Sequence, residues 1–218
     1  MKLKFVPTVI LNALVLGAFL LPAGCGTTGR QRSNDTRNTM ETVEKDYVHT
    51  LDRVDATGES LNNIVKENQP DENKAFKQYS ENVDRMRDME KKLFENAERM
   101  GAQQKNYFEE WRMQGNTYTN PQIQALSEQR RADLSEIFAK IAQAGVGVKG
   151  ALKAYVSDIE QIRTYLSTDL TPKGIEAITP TVRKAIDDGA YLKDAVKPVL
   201  DAIADARAEL AQGGTKQE

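Results

Sequence analysis

Few side chains in this sequence could take part in covalent or metal chemistry. Its 218 residues include one cysteine, Cys25, and one histidine, His49. A catalytic thiol needs a base beside it, and a zinc site needs several Cys or His ligands at fixed spacing. No second cysteine or histidine is present to complete either set. We therefore predict no catalytic residues, no metal site and no cofactor, and we expect the protein not to be an enzyme.

Three glycines have the spacing of a nucleotide-binding loop. Gly145, Gly147 and Gly150 match the pattern G-x-G-x-x-G. That loop works directly after a β-strand, where it opens a helix and approaches a pyrophosphate. The apolar residues on both sides here follow helical spacing instead, so we do not expect nucleotide binding.

The same glycines allow three structural interpretations. They and Gly189 lie about equally far from a predicted turn near Pro172, so we expect the two sites to face each other on neighbouring helices. Small residues there would let the two helices approach closely. Alternatively, they would form a hinge, and Pro198 would form another hinge in the last helix. A gap between the helices would instead form a ligand pocket.

Residues 1–24 have the parts of a secretory signal peptide. Two lysines near the start are followed by an apolar run from Phe5 to Leu21, and small residues precede Cys25. The run contains Pro7 and is shorter than the ~20 apolar residues that a transmembrane helix needs. We predict that the segment is cleaved and is not a permanent membrane span.

The segment 21–25, Leu-Pro-Ala-Gly-Cys, resembles the lipobox of bacterial lipoproteins. The resemblance implies cleavage before Cys25, a diacylglyceryl thioether on its sulfur and a fatty acyl chain such as palmitate on its amine. Pro22 stands where lipoboxes usually carry an aliphatic residue. Gly26 resembles the residue that follows the cysteine in lipoproteins sorted to the outer membrane. The resemblance implies that, in a Gram-negative host, the protein is held at the periplasmic face of the outer membrane. The alternative is an ordinary cleaved signal followed by a free thiol.

Acidic and basic residues are nearly equal in number and alternate along the chain, which carries a formal net charge of −2. No basic stripe is present, so we expect no nucleic-acid partner. The chain is rich in residues that favour helix and poor in aromatic ones. We predict a flexible tether over residues 25–38, one helical domain over 39–211 and a frayed tail over 212–218.

Apolar residues recur at alternating three- and four-residue spacing through the whole domain, which predicts amphipathic helices. Breaks at residues 68–71, 115–121 and 167–172 divide the pattern into four segments, and a last helix is expected to begin at Pro180 after a short separate piece. Short connections favour antiparallel neighbours. The fold class is therefore all-α: an elongated antiparallel bundle, close to a coiled coil. The predicted core consists of Met40, Val43, Tyr47, Leu51, Val54, Leu61 and Val65 with Gly58 in register; Phe76, Tyr79, Val83, Met86, Leu93, Ala97, Met100, Tyr107 and Trp111; Ile123, Leu126, Leu134, Ile137, Ile141, Ala144, Val148, Ala151, Tyr155, Ile159, Ile162 and Leu166; and Val182, Ile186, Val196, Val199, Ile203 and Leu210.

Aromatic residues cluster at the turn between the second and third helices. Counting residues places this turn at the same end as Cys25, and the first and fourth helices are expected to stop short of it. One interpretation is that Tyr107, Phe108, Trp111 and Tyr118 reach a membrane surface or a partner, since amphipathic rings favour membrane interfaces. The favoured interpretation is that Tyr107 and Trp111, which lie on the apolar seam, are core residues.

The chain from Val43 to Leu210 resembles an uncharacterised bacterial family of helical envelope proteins. The similar features are Glu-Trp at 110–111, Tyr-Thr-Asn at 118–120, a helix ending at Leu166 and an apolar helix from Ile175 to Leu200. The resemblance implies a helical hairpin fold and no established activity.

These observations predict a lipid-anchored envelope protein that acts as a non-enzymatic structural or partner-binding scaffold. The expected partners are the membrane, through a lipid on Cys25, and an envelope protein of unknown identity. A second copy of the chain is an alternative partner, because a regular apolar seam can pack against the same seam of another copy. The alternatives are a ligand-sensing bundle and a membrane-surface module that acts through the aromatic turn.

Overall fold

The computed structural model describes residues 28–67 and 69–212. They form four α-helices: α1 (Gly29–Ile64), α2 (Glu72–Gly115), α3 (Pro121–Thr168) and α4 (Pro172–Gln212). The described residues contain no β-strand. At 1.5 Å per residue the helices are about 54 to 72 Å long. The predicted all-α class and the number of helices are confirmed.

The helices pack as an antiparallel square. α1 contacts α2 and α4, and α3 contacts the same two helices. Arg32 at the start of α1 bonds Gln114 at the end of α2, and Tyr79 near the start of α2 bonds Ile159 near the end of α3. Each helix therefore runs opposite to both of its neighbours, as the short connections predict.

Polar side chains cap the starts of the first three helices. Thr28, Asp71 and Asn120 each accept a hydrogen bond from a backbone N–H two or three residues further on. Such caps satisfy donors that the first helical turn leaves without partners. Pro121 follows Asn120 as the first residue of α3, where its missing N–H costs nothing.

A tight turn precedes α4. Asp169 accepts from the Thr171 hydroxyl at 2.7 Å, and the Thr171 oxygen accepts from the N–H of Gly174 at 3.2 Å. A Cβ at Gly174 would lie 2.5 Å from the Asp169 carbonyl oxygen, so this position has room only for glycine. Thr171 therefore caps the start of α4.

The predicted start of the last helix at Pro180 is wrong. α4 begins at Pro172 and continues through both Pro180 and Pro198. A proline inside a helix removes one backbone hydrogen bond, yet the turns before Pro180 stay helical because Ile175 and Ile178 pack against the core. Pro198 lies on the exposed face of α4, and a kink there stays a prediction.

The predicted end of the tether at residue 38 is also wrong, because α1 begins at Gly29. The segment 29–38 is polar, but its contacts with other helices hold it in place. Arg32 is 8% exposed and bonds Gln114, while Thr36 is fully buried. Packing therefore extends the helix into a stretch whose composition favours a flexible chain.

The core stripe of α1 includes hydroxyl groups. Thr36, Thr50 and Thr57 are fully buried and share a seven-residue spacing with Val43 and Ile64. Each of the three threonine hydroxyls donates to a backbone carbonyl four residues earlier. These hydroxyls therefore enter the core without a lost hydrogen bond.

The sequence pattern placed Leu51, Gly58 and Val65 on this stripe, one residue after the buried set. Leu51 and Val65 are only partly buried, and a Cβ at Gly58 would meet no atom within 4 Å. The threonines were missed because their polarity hides them from a search for apolar spacing. The prediction that Ile123 and Leu126 are core residues is wrong, because they are 49% and 72% exposed.

Within residues 28–67 and 69–212, none of the helices combines the length and the hydropathy that crossing a bilayer requires. The predicted signal peptide, Cys25 and the tail beyond Gln212 lie outside the described residues.

Candidate functional site

A cavity of about 580 Å³ opens where the start of α1 meets the ends of α2 and α4 and the third and fourth turns of α3. We call it the end cavity and define it by the lining residues Arg32, Arg37, Tyr107, Trp111 and Arg130. Its volume lies within the range typical of small-molecule sites, about 300 to 1,000 Å³. The end cavity is therefore large enough to hold a small molecule.

Arg32 is anchored in the wall of the end cavity. Its Nη2 donates to the Gln114 side-chain oxygen at 2.7 Å, and its Nε lies 3.6 Å from a carboxylate oxygen of Glu110. These contacts with α2 hold the guanidinium in one position and give it polar partners in a place that is almost wholly buried. A fixed cation at a cavity wall favours negatively charged groups inside the cavity.

Arg130 and Tyr107 lie across the cavity from α1. Arg130 forms an ion pair with Glu209, which links α3 to the end of α4. Burial raises the pKa of the Tyr107 phenol, while the guanidinium groups of Arg130 and Arg32 act in the opposite direction. Burial is the larger effect, so the phenol is neutral at physiological pH.

Three of the four aromatic residues proposed for a membrane contact pack between helices instead. Tyr107 is 8% exposed and meets Phe108 and Trp111 edge-on at 5.4 and 5.7 Å. Phe108 also contacts Phe138 of α3, and the Trp111 indole N–H donates to a serine of α3. Only Tyr118, at 40%, is exposed.

The first helix reaches the turn between α2 and α3, contrary to expectation. Gly29 and Tyr118 both line the end cavity, so α1 extends to the tip of the hairpin. α4 does end earlier, since Glu209 in its last turn pairs with Arg130 rather than with the first residues of α3. The first two turns of α3 therefore have no described residues of α4 beside them.

Apolar side chains are exposed around this tip. Met113, Ile123 and Leu126 are 57%, 49% and 72% exposed. Together with Tyr118 they form what we call the tip patch. Single exposed apolar residues are ordinary on a protein surface, and it is contiguous apolar patches that mark contact surfaces.

The glycines of the G-x-G-x-x-G pattern do not form a site. They lie inside α3, and a Cβ at Gly147 or Gly150 would meet no atom within 4 Å. At Gly145 it would meet only the Tyr47 hydroxyl, at 3.9 Å. These three residues therefore do not mark a close contact between α3 and a neighbouring helix.

Gly189 is instead the position of close approach. It is buried in α4, and a Cβ there would lie 3.0 Å from Val54 of α1 and 3.2 Å from Tyr155 of α3. Its close neighbours are the Val54 and Tyr155 side chains rather than the glycines of α3 that the sequence analysis placed opposite it.

A buried carboxylate lies in the interface between α1 and α2. Asp46 is 1% exposed, and its oxygens lie 2.8 Å from Nζ of Lys92 and 2.5 Å from the amide nitrogen of Asn96. Neither Asp46 nor its partners were singled out in the sequence, because acids and bases alternate everywhere along these helices. The ion pair therefore links α1 to α2.

Metal-binding geometry is not found in the described part of the chain, where no three His, Cys, Asp or Glu side chains converge. His49 lies on the surface, with its Nδ1 3.7 Å from Asp52.

The chain matches no protein-family model, no curated protein and no solved structure. The resemblances noted in the sequence, to lipoproteins and to a helical envelope family, stay predictions.

Proposed function

We propose that this chain is a lipid-anchored protein of the cell envelope and acts as a non-enzymatic structural or partner-binding scaffold. The observation that carries the proposal is the start of α1 at Gly29, four residues after the cysteine of the lipobox-like segment. A lipid on Cys25 would then hold a long helical bundle by one end. Four extended residues span at most about 14 Å, so that end would stay close to the membrane surface.

The packing of the bundle suits a rigid spacer. Ion pairs cross the interfaces between adjacent helices, among them Asp84 with Arg163, Asp55 with Lys193, and Glu44 with Arg207. Exposed pairs of this kind add little stability, but together with a continuous apolar core they align the helices along their whole length. The far end, with the α1–α2 and α3–α4 connections, would lie about 60 Å from the anchored end.

Substitution of Cys25 tests the anchor. In membrane fractions of cells that express the wild-type chain, mass spectrometry is expected to find an N-terminal Cys25 peptide with a diacylglyceryl group and an amide-linked acyl chain. The Cys25→Ser chain has no thiol to modify, so its N-terminus should carry no lipid. Three acyl chains anchor a protein stably while none leaves it free, so the Cys25→Ser chain should lose most of its membrane association.

The matched control is Ser33→Cys in the Cys25→Ser chain, which restores a thiol eight residues further on but outside the lipobox-like segment. It is expected to stay unlipidated. An unmodified wild-type N-terminus in the soluble fraction would contradict the anchor and, with it, the scaffold proposal.

The tip patch favours a second function, contact with the membrane surface. It lies at the same end as the start of α1, and its apolar side chains are exposed. This differs from the aromatic contact suggested by the sequence, because Trp111 packs against α3 and only Tyr118 of the four rings is exposed.

Photo-crosslinking in intact cells separates the two functions. A photoreactive residue in place of Leu126 tests the tip patch, and one in place of the exposed Lys173 tests the far end. The scaffold proposal predicts a discrete protein adduct at position 173 and not at position 126. The membrane-surface alternative predicts a lipid adduct at position 126, even in the Cys25→Ser chain.

An adduct at position 173 with the mass of two chains would identify the partner as a second copy. The absence of a discrete protein adduct at position 173 would contradict the scaffold proposal.

A further inference from the structure

The end cavity holds more positive than negative charge. Arg30, Arg32, Arg37 and Arg130 line it, and Glu209 is the one carboxylate among its lining residues. Glu209 pairs with Arg130, and Arg32 is held by Glu110 from just outside. Arg30 and Arg37 therefore add positive charge that no carboxylate lining the cavity balances.

Arg37 lines the cavity with part of its side chain. Its Nε is enclosed by the protein, has no hydrogen-bond partner among the described residues and is closed off from the cavity. Arg37 would therefore act on an anion through the charge and the terminal nitrogens of its guanidinium.

The rest of the lining is apolar. The rings of Tyr107 and Trp111 contribute from α2, and Leu134 and Leu210 contribute from α3 and α4. The indole N–H of Trp111 already donates to Ser127 at 2.9 Å, so its ring offers mainly apolar surface to a ligand. An anion with an apolar group attached would use both kinds of lining, which a small inorganic ion would not.

We propose that the end cavity binds an amphipathic anion, a phosphate or carboxylate group joined to an aromatic or aliphatic group. The arginines would hold the anionic group, and the aromatic and leucine side chains would contact the apolar one. A soluble metabolite and the headgroup region of an anionic lipid share this chemistry. The proposal goes beyond a scaffold role and requires neither the lipid on Cys25 nor a protein partner.

The chain carries its own reporter for the test. Trp111 is its one tryptophan and lines the end cavity, so its fluorescence responds to what enters there. The full chain, reconstituted in phosphatidylcholine vesicles, is titrated with phenyl phosphate, inorganic phosphate and the uncharged phenyl glucoside. A saturable change is expected with phenyl phosphate, a weaker affinity for inorganic phosphate, and no saturation with phenyl glucoside.

Arg37→Gln is expected to weaken phenyl phosphate binding about tenfold, since a hydrogen bond to a charged group contributes ~1.5 kcal/mol or more and 1.4 kcal/mol is a factor of ten. Arg183→Gln is the matched control. Arg183 is exposed on α4, far from the end cavity, so its loss should leave the affinity unchanged. Arg30→Gln gives a second variant in case Arg37→Gln alters folding, because Arg30 is exposed and lines the cavity.

A second series identifies the source of the anion. The titration is repeated in vesicles that contain phosphatidylglycerol. If the lipid headgroup reaches the cavity, it competes and the apparent Kd for phenyl phosphate rises; an unchanged Kd supports a soluble ligand. Equal binding of phenyl glucoside, no saturable response below about 1 mM, or affinities unaltered in both the Arg37→Gln and Arg30→Gln chains would overturn the proposal.

Discussion

Replacing Gly189 with leucine is expected to destabilise the bundle by about 3 kcal/mol, because extra carbons forced into a filled core displace their neighbours. A Cβ at Gly189 would already lie 3.0 Å from Cγ1 of Val54 and 3.2 Å from Cε2 of Tyr155. Both of these side chains are almost fully buried and belong to two different helices. Three helices would therefore have to move apart to admit the rest of a leucine side chain.

The matched control is Gly147→Leu in α3. A Cβ at Gly147 meets no atom within 4 Å, and the residue is exposed. Leucine favours helix more than glycine does, so this variant is expected to be more stable by about 0.5 to 1 kcal/mol. Urea denaturation followed by circular dichroism measures both. Equal effects of the two substitutions would show that Gly189 is not a close-approach position.

Replacing Lys92 with methionine is expected to cost about 3 kcal/mol, because it leaves a buried carboxylate without its countercharge. Nζ of Lys92 lies 2.8 Å from Asp46, whose side chain is 2% exposed, and only the Asn96 amide would then remain as a partner. Lys92 itself is half exposed, so Asp46→Asn, which leaves the lysine free to hydrate, should cost less.

Lys91→Met is the matched control for this pair. Lys91 is 78% exposed, and its nearest carboxylate, on Glu95, is 3.9 Å away. Exposed pairs contribute about 0 to 1 kcal/mol, so the variant should have nearly wild-type stability.

The double variant Asp46→Leu, Lys92→Leu removes both charges and is expected to lie within about 1 kcal/mol of the wild type. A double variant as unstable as Lys92→Met alone would contradict the role assigned to the uncompensated carboxylate.

The amino-acid sequence by itself determined the number of helices and the positions of their connections. The spacing of apolar residues and the residues around Pro70, Pro121 and Pro172 were enough, because helix starts and stops depend on local backbone chemistry. The cap at Thr171 follows from the same local rules. Where a boundary depended on contacts with other helices, as at Gly29 and Pro180, the sequence placed it wrongly.

The core face of α1 has two rows of buried residues, and the sequence determined one row but only part of the row that contains the threonines. Met40, Tyr47 and Leu61 were found because they are apolar, whereas Thr50 and Thr57 were not. A threonine on the surface and one in the core look alike in a sequence. Only the packed bundle shows that each hydroxyl bonds its own helix and so enters the core without a lost hydrogen bond.

The tertiary structure alone decided which glycine matters and where a ligand fits. Gly147 and Gly189 are alike in sequence, yet one faces solvent and the other lies against Tyr155, because the rotation of each helix about its axis sets which residues meet. Likewise, Arg37 and Arg130 are ordinary charged helix residues until the bundle brings the start of α1 and the early turns of α3 to the same cavity. Spacing along one helix predicts which residues share a face. The pairing of faces between helices depends on packing across the whole bundle.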